Sequence, residues 1–291
     1  MTQSLASIET PRNRRILDRV MNALVMLAVV LALVPLVLIV ADVVIQGASV
    51  VNLSFLTGLP APPTTPGGGI GPAVEGSAIM VGIAALISVP IGVGAGIFFS
   101  EWPESRLSFV SSFMNDVLAE FPSIVIGIFV YVVVVLATHT FSALAGAVAL
   151  AVIMIPIIAR TTEESLKIVP NTLREASMAL GISRWKTVIS IVISTGKNGL
   201  ATGILLAVAR AAGETAPLLL TALGSSFFLT GLSQPTAALP LLIFTYATSP
   251  YKIWQQEAWG AALVLVVFML ALNLFVKLVI GRRFSEIRAE I

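Results

Sequence analysis

Long charge-free runs alternate with short charged segments along this chain, and their lengths predict membrane-spanning helices, since a bilayer core takes roughly 20 residues of helix. Val20 to Ala41 is the first such run, and Gly76 to Ser100 contains the second. Phe121 to Ala159 holds no Asp, Glu, Lys or Arg and is too long for one crossing. It therefore divides into a third and a fourth helix at THTFS, Thr138 to Ser142. A fifth crossing runs from about Asn198 to Thr221 and a sixth covers Ala258 to Val276. Six crossings return both termini to one side, so the expected fold class is an all-α integral membrane protein.

Composition agrees. The 291 residues are 57% hydrophobic and 11% charged, against roughly 25% charged in ordinary soluble domains, and mean hydropathy is +0.99. Of the 17 Lys and Arg residues, all but Lys252 and Arg210 fall on the side of the termini. They lie in the N-terminal tail, at Arg106, between Arg160 and Lys197, and from Lys277 onward. The positive-inside rule makes that side cytoplasmic. The expected organisation is a cytoplasmic tail over 1–19, one transmembrane domain over 20–280 with a cytoplasmic loop over 160–197, and a second tail over 281–291. The first apolar run is longer than a signal h-region and no A-x-A site follows it, so it reads as an uncleaved helix. A net charge of +2 is too small to suggest nucleic acid. With no cysteine and one histidine, disulfides and multi-histidine metal sites are excluded.

Two segments face outward. PAPPTTPGGGIGP, Pro60 to Pro72, is too rich in proline and glycine for helix or central strand. No Lys-Ser/Thr follows its glycines, so it reads as a connecting loop and not a Walker A phosphate cradle. Gly224 to Trp254 is too apolar for a free loop and too interrupted by Pro235, Pro240 and Pro250 for a crossing. It is expected to be partly buried, re-entrant or surface-lying. Tyr251, Trp254 and Trp259 fit an anchoring aromatic belt.

The cytoplasmic loop has its own pattern. Pro170 ends what precedes it, Thr172 and Glu175 satisfy a capping box, and Gly181 is a helix C-terminal signal. Ser183 can cap a second helix carrying Trp185, Val188, Ile189 and Val192. A helix–turn–helix with exposed apolar residues either lies on the membrane surface or docks in a partner's groove. The pattern alone leaves both open.

Two charges break the fifth run. Arg210 lies about 12 residues into it, roughly 18 Å deep at 1.5 Å per residue, where arginine costs on the order of 2.5 to 3.5 kcal/mol on insertion scales. Gly203, Ala207, Arg210 and Glu214 share one helix face, which with Gly199 begins as a small-residue packing stripe. The charges therefore face protein or a water-filled path. Pro217 predicts a break beside Glu214. Arg210 and Glu214 could be a self-neutralising pair, but Arg before Glu is the weaker i,i+4 order. A second cluster, Arg160, Glu163 and Glu164, sits at the end of the fourth helix, with spacing that pairs the arginine to either glutamate. Asp42, Asp116 and Glu120 read as solvated carboxylates near helix ends. No nucleophile, base and orienting group assemble from spacing, and His139 falls in an outer hairpin, so an enzyme is not expected.

E-A-S-x3-G-x9-I-x-I, from Glu175 to Ile193, resembles the EAA loop of ABC importer permeases. It departs from E-A-A-x3-G-x9-I-x-L-P at Ser177, Ile193 and Ser194. Six crossings with this loop between the fourth and fifth resemble the type I importer permease (MetI-like) fold. IARTTEESLKIVPNTLREASMALG and TGILLAVARAAGETAPLLLTALG resemble, more narrowly, the PstA family of permease subunits of phosphate-specific ABC importers. That resemblance implies a chain in the cytoplasmic membrane of a prokaryote, moving inorganic phosphate inward. It implies that Arg160, Glu163 and Arg210 serve phosphate passage, with Glu214 in the same motif. It implies that residues 172–193, including Glu175, Ala176 and Gly181, dock on a PstB-like ATPase dimer that binds the ATP and Mg. A PstC-like permease and a PstS-like phosphate-binding protein would complete the system. The alternatives are a permease for sulfate, molybdate or another oxyanion, or a secondary transporter, which would not need the helix pair.

Overall fold

The computed structural model describes residues 12–288, so residues 1–11 and 289–291 of the expected tails lie outside the described residues. In chain order the helices are α1 (Arg12–Gly47), α2 (Leu53–Thr57), α3 (Gly71–Glu101), α4 (Arg106–Ala119), α5 (Ser123–Thr138) and α6 (Ala143–Lys167). Then follow α7 (Asn171–Ala179), α8 (Arg184–Ala212), α9 (Ala216–Thr221), α10 (Leu239–Ala247) and α11 (Lys252–Arg288). Five of these, α1, α3, α6, α8 and α11, are long and apolar enough to cross a membrane, and α4 with α5 forms a sixth, bent candidate.

The bend is the main departure from the expected spans. The third crossing begins at Ser123 and is preceded by α4, an amphipathic helix turned 104° from it. Pro122 caps α5, and a residue before proline is pushed out of the helical region. The start of α4 is set by Ser105, whose Oγ accepts from Ser108 N at 3.0 Å. The division at Thr138–Ser142 is as expected: His139 takes a left-handed φ of 55° and Ser142 Oγ caps α6 through Ala145 N at 3.1 Å.

The fifth crossing also starts earlier than Asn198. The second loop helix runs directly into it through a π-helical turn at Val188–Val192, so α8 is one rod from Arg184 to Ala212. It stops at Gly213, and Pro217 sits in the first turn of α9, where a missing N–H costs nothing. The predicted break beside Glu214 is therefore present. α11 begins at Lys252, before the expected Ala258.

Small residues hold the core. α6 is central, packed on α3 and α8. A Cβ on Gly96 of α3 would lie 2.5 Å from Ala159 O, and one on Gly92 would lie 2.7 Å from Ile158 Cβ. On the other flank, Cβ atoms on Gly199 and Gly203 would meet Ser165 Oγ at 2.2 Å and Thr161 Oγ1 at 2.0 Å. Without a hydrophobic force between helices in lipid, such close approach is what makes dispersion contacts large enough to matter. α1 is exposed along most of its length and meets α11 where Gly47 touches Trp259 and Leu263.

On the side away from the helix pair, the glycine-rich segment spends donors on α2 and the residues just after it. Gly69 N, Ile70 N and Gly71 N donate to Leu59 O, Phe55 O and Gly58 O at 2.8, 2.7 and 3.0 Å. It is a connecting loop. The second outer segment is partly buried as expected, with Leu239, Leu241, Leu242 and Tyr246 of α10 in the core. Trp254 does more than anchor: it stacks on Tyr246 at 4.5 Å and donates Nε1–H to Ala61 O at 3.2 Å. These residues line a cavity of about 660 Å³ on that side.

Candidate functional site

Arg160 lies on the last turns of α6, past Pro156. Its Nε donates to Glu164 Oε1 at 2.9 Å, while Nη1 lies 3.5 Å from Glu163 Oε2 and 3.9 Å from Asp116 Oδ2 of α4. The guanidinium is 48% exposed and the Glu163 carboxylate only 6%. Glu163 is held from its other oxygen by Lys167 Nζ at 2.6 Å. Spacing anticipated the pairing with Glu163 and Glu164. It missed Asp116, which is brought in across sequence by the α4 bend and by Asn115, whose Nδ2 donates to Pro156 O at 3.3 Å.

Arg210 is held more loosely. Its Nε is 3.6 Å from Glu214 Oε1, an ion pair longer than a hydrogen bond, with the arginine side chain 55% exposed and the glutamate 16%. The self-neutralising pair is thus formed in this structure. Its shortest approach is through Nε, and the arginine side chain stays more than half exposed. Glu214 can reach back because α8 has ended at Ala212 and the chain is turning into α9.

The two arginines share a wall. Ala119, Phe121, Pro156 and Ile157 line both the 740 Å³ cavity at Arg160 and the narrow crevice that reaches Arg210. Asp116 and Glu120 line the larger one. The wall is the α4–α5 bend set against the Pro156 turn of α6. Its position follows from two prolines, Pro122 and Pro156, and from the glycine stripe that draws α8 onto α6.

The helix pair is a separate feature at the end of the molecule that carries Arg160. α7 starts at Asn171 with Pro170 as its cap residue and no side-chain cap, so the expected capping box at Thr172 is not used. A proline there already fixes the chain's entry angle. Gly181, at φ 79°, closes the helix in a Schellman turn, with Ile182 N on Ser177 O at 3.3 Å and Gly181 N on Met178 O at 2.9 Å. Glu175, Ala176, Gly181 and Trp185 are exposed. Ser183 starts the second helix without a side-chain bond.

Comparison with known proteins fits this arrangement. A family model described as binding-protein-dependent transport system inner membrane component matches residues 88–283. The phosphate transport system permease protein PstA of Yersinia pestis is 41% identical over 271 residues, covering 93% of this chain and 92% of that protein. The corresponding protein of Haemophilus influenzae is 42% identical, with 91% and 94% covered. A probable PstA of Methanocaldococcus jannaschii is 39% identical, with 89% and 92% covered. The chain is a member of the PstA family. In fold it is similar to an inward-facing MetNI methionine ABC transporter, with a TM-score of 0.57 at 17% identity, covering 72% of this chain and 96% of that one. An amino acid ABC transporter gives a TM-score of 0.51 at 16% identity, with 72% and 92% covered.

As a PstA-family chain it is a multi-pass membrane permease component and not an enzyme, and its fold is the MetI-like one. The departure of its EAA loop at Ser177 has a local explanation. Ser177 Oγ and Thr187 Oγ1 share a hydrogen bond of 2.8 Å, both side chains buried, so a second hydroxyl across the helix pair satisfies the extra one. The residues that sequence reasoning did not single out are Glu101, Arg174 and Arg184, which fasten the pair to α3. A glutamate ending an apolar helix and arginines in a charged loop carry no spacing signal, because their partners are far away in sequence.

Proposed function

We propose that this chain is the permease subunit of an ATP-driven importer that moves inorganic phosphate into the cytoplasm, with Arg210 and Arg160 as successive anion contacts. The observation that carries it is the pair of arginines on one wall, each beside glutamates, in the R-T-T-E and A-R-x-x-G-E-T-A-P segments of a chain about two-fifths identical to PstA permeases over nearly its whole length. A guanidinium offers an oxyanion two parallel charge-assisted hydrogen bonds. At Arg210 the Glu214 contact is long and the arginine side chain more than half exposed, so phosphate can engage before the carboxylate leaves. At Arg160 the anion must displace Glu164, the shortest partner. The displaced glutamates accept the P–OH proton of hydrogen phosphate as a hydrogen bond and return to the arginines as it departs, so neither state leaves a bare charge in a low-dielectric site. Exposed residues of 172–193, around Glu175, Ala176 and Gly181, would dock on a PstB-like ATPase, which would hold the ATP and Mg. A PstC-like permease would complete the pathway, and a PstS-like protein would deliver phosphate from outside.

The test is phosphate uptake by the assembled complex in vesicles, with sulfate and arsenate as competitors. Phosphate uptake should require ATP, resist excess sulfate and be competed by arsenate, the closer analogue. Arg210→Lys keeps the charge but not the fork, and Arg210→Gln loses both. Each should lower uptake by at least about tenfold, the scale of one charge-assisted hydrogen bond. Unchanged uptake in an assembled Arg210→Gln complex would refute the assignment.

A further inference from the structure

The helix pair is continuous with α6 on one side and α8 on the other, but the structure fastens it to a third helix as well. Glu101 is the last residue of α3 and its carboxylate is 4% exposed. Arg174 of α7, 73 residues away, donates Nη2 and Nε to Glu101 Oε1 at 2.8 and 3.1 Å. The same guanidinium donates Nη2 to Leu166 O at 3.1 Å and Nη1 to Val169 O at 2.6 Å. One side chain thus binds the ends of α3 and α6 together and to the loop helix. From the start of α8, Arg184 Nη2 donates to the Glu101 backbone carbonyl, and its guanidinium lies over the Trp102 ring at 4.9 Å. The C-terminal end of α3 and the end of α6 with the turn that follows it present carbonyls here, and two arginines answer them with donors and positive charge.

The opposite end of α3 is also fastened, to the outer segment. Glu75 Oε2 accepts from Leu229 N at 2.9 Å, and Ser77 Oγ accepts from Leu239 N at 2.7 Å in a buried bond. Between them a Cβ on Gly76 would lie 2.1 Å from Ala237 O, so α3 and the 229–239 segment are in backbone contact. α3 has 31 residues, so it spans about 46 Å.

We propose that α3 is the rod that carries movement of the helix pair to the outer segment, and that Glu101 and Arg174 are the positioning residues of its inner joint. The proposal rests on the reading of 172–193 as the ATPase docking element. Two donors of one planar guanidinium on the Glu101 carboxylate, with Nε shared between Oε1 at 3.1 Å and Oε2 at 3.4 Å, fix angle as well as distance, so rotation of α7 is transmitted to α3 and not absorbed in the loop. Neither residue lines the cavities at Arg160 and Arg210. Loss of the joint should therefore uncouple the machine rather than block it.

The measurement is the ratio of phosphate transported to ATP hydrolysed by the full complex in proteoliposomes. Glu101→Gln keeps shape and one acceptor but removes the charge, and should lower that ratio by at least about tenfold, with the ATPase still co-purifying. A wild-type ratio in Glu101→Gln would overturn the proposal. Should that variant not assemble, Glu101→Asp, one methylene shorter with the charge intact, carries the same test: a lowered ratio supports the joint and an unchanged one overturns it. A covalent rescue separates positioning from simple structural damage. The chain has no cysteine of its own, so Glu101→Cys with Arg174→Cys can be bridged by a short bis-maleimide. The unbridged pair should be uncoupled and the bridged pair recoupled; bridging that fails to raise the ratio counts against the joint. The docking reading fails by a different result, namely that Glu175→Lys leaves ATPase binding and ATP-dependent uptake intact.

Discussion

Three glycines in the run GVGAG, Gly92 to Gly96 on α3, make one substitution give opposite results two residues apart. A methyl on Gly94 meets nothing within 4 Å. A methyl on Gly96 would sit 2.5 Å from Ala159 O and 2.6 Å from Thr162 Cβ. Ordinary contacts to a Cβ begin near 3.4 Å, so α3 and α6 must part by about 0.9 Å, the difference between 3.4 and 2.5 Å. The struck atoms are a backbone oxygen and a β-branched Cβ of a fully buried threonine, and neither can swing aside. Overpacking of this kind costs about 1 to 3 kcal/mol, while replacing a helical glycine by alanine returns about 0.5 to 1 kcal/mol. Gly96→Ala should therefore lose about 2 kcal/mol net, at the upper part of that range because backbone is struck. Gly94→Ala should be neutral or gain up to about 1 kcal/mol. Thermal melting of the detergent-purified complex reads the stability difference, and uptake reads its consequence, since α6 carries Arg160 and α3 carries Glu101. Equal shifts for the two variants, or a larger loss at Gly94, would refute the α3–α6 packing described above.

Other outcomes follow from the same contacts. Thr187→Val should cost about 1 to 3 kcal/mol by stranding the buried Ser177 hydroxyl, Ser177→Ala should cost less because Thr187 Oγ1 still donates to Ser183 O at 3.3 Å, and the double variant should be closer to wild type than Thr187→Val; a double-mutant cycle on proteolytic resistance of the 170–190 loop checks this. Gly181→Ala meets no atom within 4 Å, yet sits at φ 79°, so its cost is backbone strain alone, about 1 to 2 kcal/mol. That should appear as weaker ATPase co-purification with unchanged membrane insertion. Glu164→Gln removes an exposed partner of Arg160 and should change melting by less than about 1 kcal/mol, whereas its effect on phosphate uptake should be larger and measurable as a changed KM.

The crossings were legible because lipid allows only internally bonded helix, so length and charge suffice to find it. What could not be read was the turn at Pro122. Its direction depends on what α4 packs against, and a charge-free run gives no hint that its neighbour lies at 104°. The same limit explains the site. The pairs Arg160–Glu164 and Arg210–Glu214 lie four residues apart in sequence and are visible as spacing. Asp116 beside Arg160, and Glu101 beside Arg174, depend on the assembled bundle. The capping box at Thr172 failed for a related reason: a proline just ahead of it fixed the helix start two residues earlier than the hydroxyl pattern suggested.

The unequal holding of the two arginines bears on the order of events under the proposed function. Arg210 faces one carboxylate at 3.6 Å. Arg160 has three within 4 Å, at 2.9, 3.5 and 3.9 Å, of which Lys167 offsets only Glu163. An anion therefore gains more at Arg210 and is repelled more at Arg160, where Glu120 also lines the cavity. Like charge at these separations is worth on the order of 1 to 4 kcal/mol per pair between bulk water and a protein surface. Under the proposed function the α6 site would then serve brief occupancy and release, and the α8 site capture. Removing the excess should make release slow: Asp116→Asn, which keeps volume and hydrogen bonding, should tighten phosphate retention and lower turnover together. Rapid-filtration release of radiolabelled phosphate from the assembled complex reads the first and steady-state uptake the second. Faster release in Asp116→Asn would mean that the carboxylates around Arg160 hold the arginine in place and do not expel the anion.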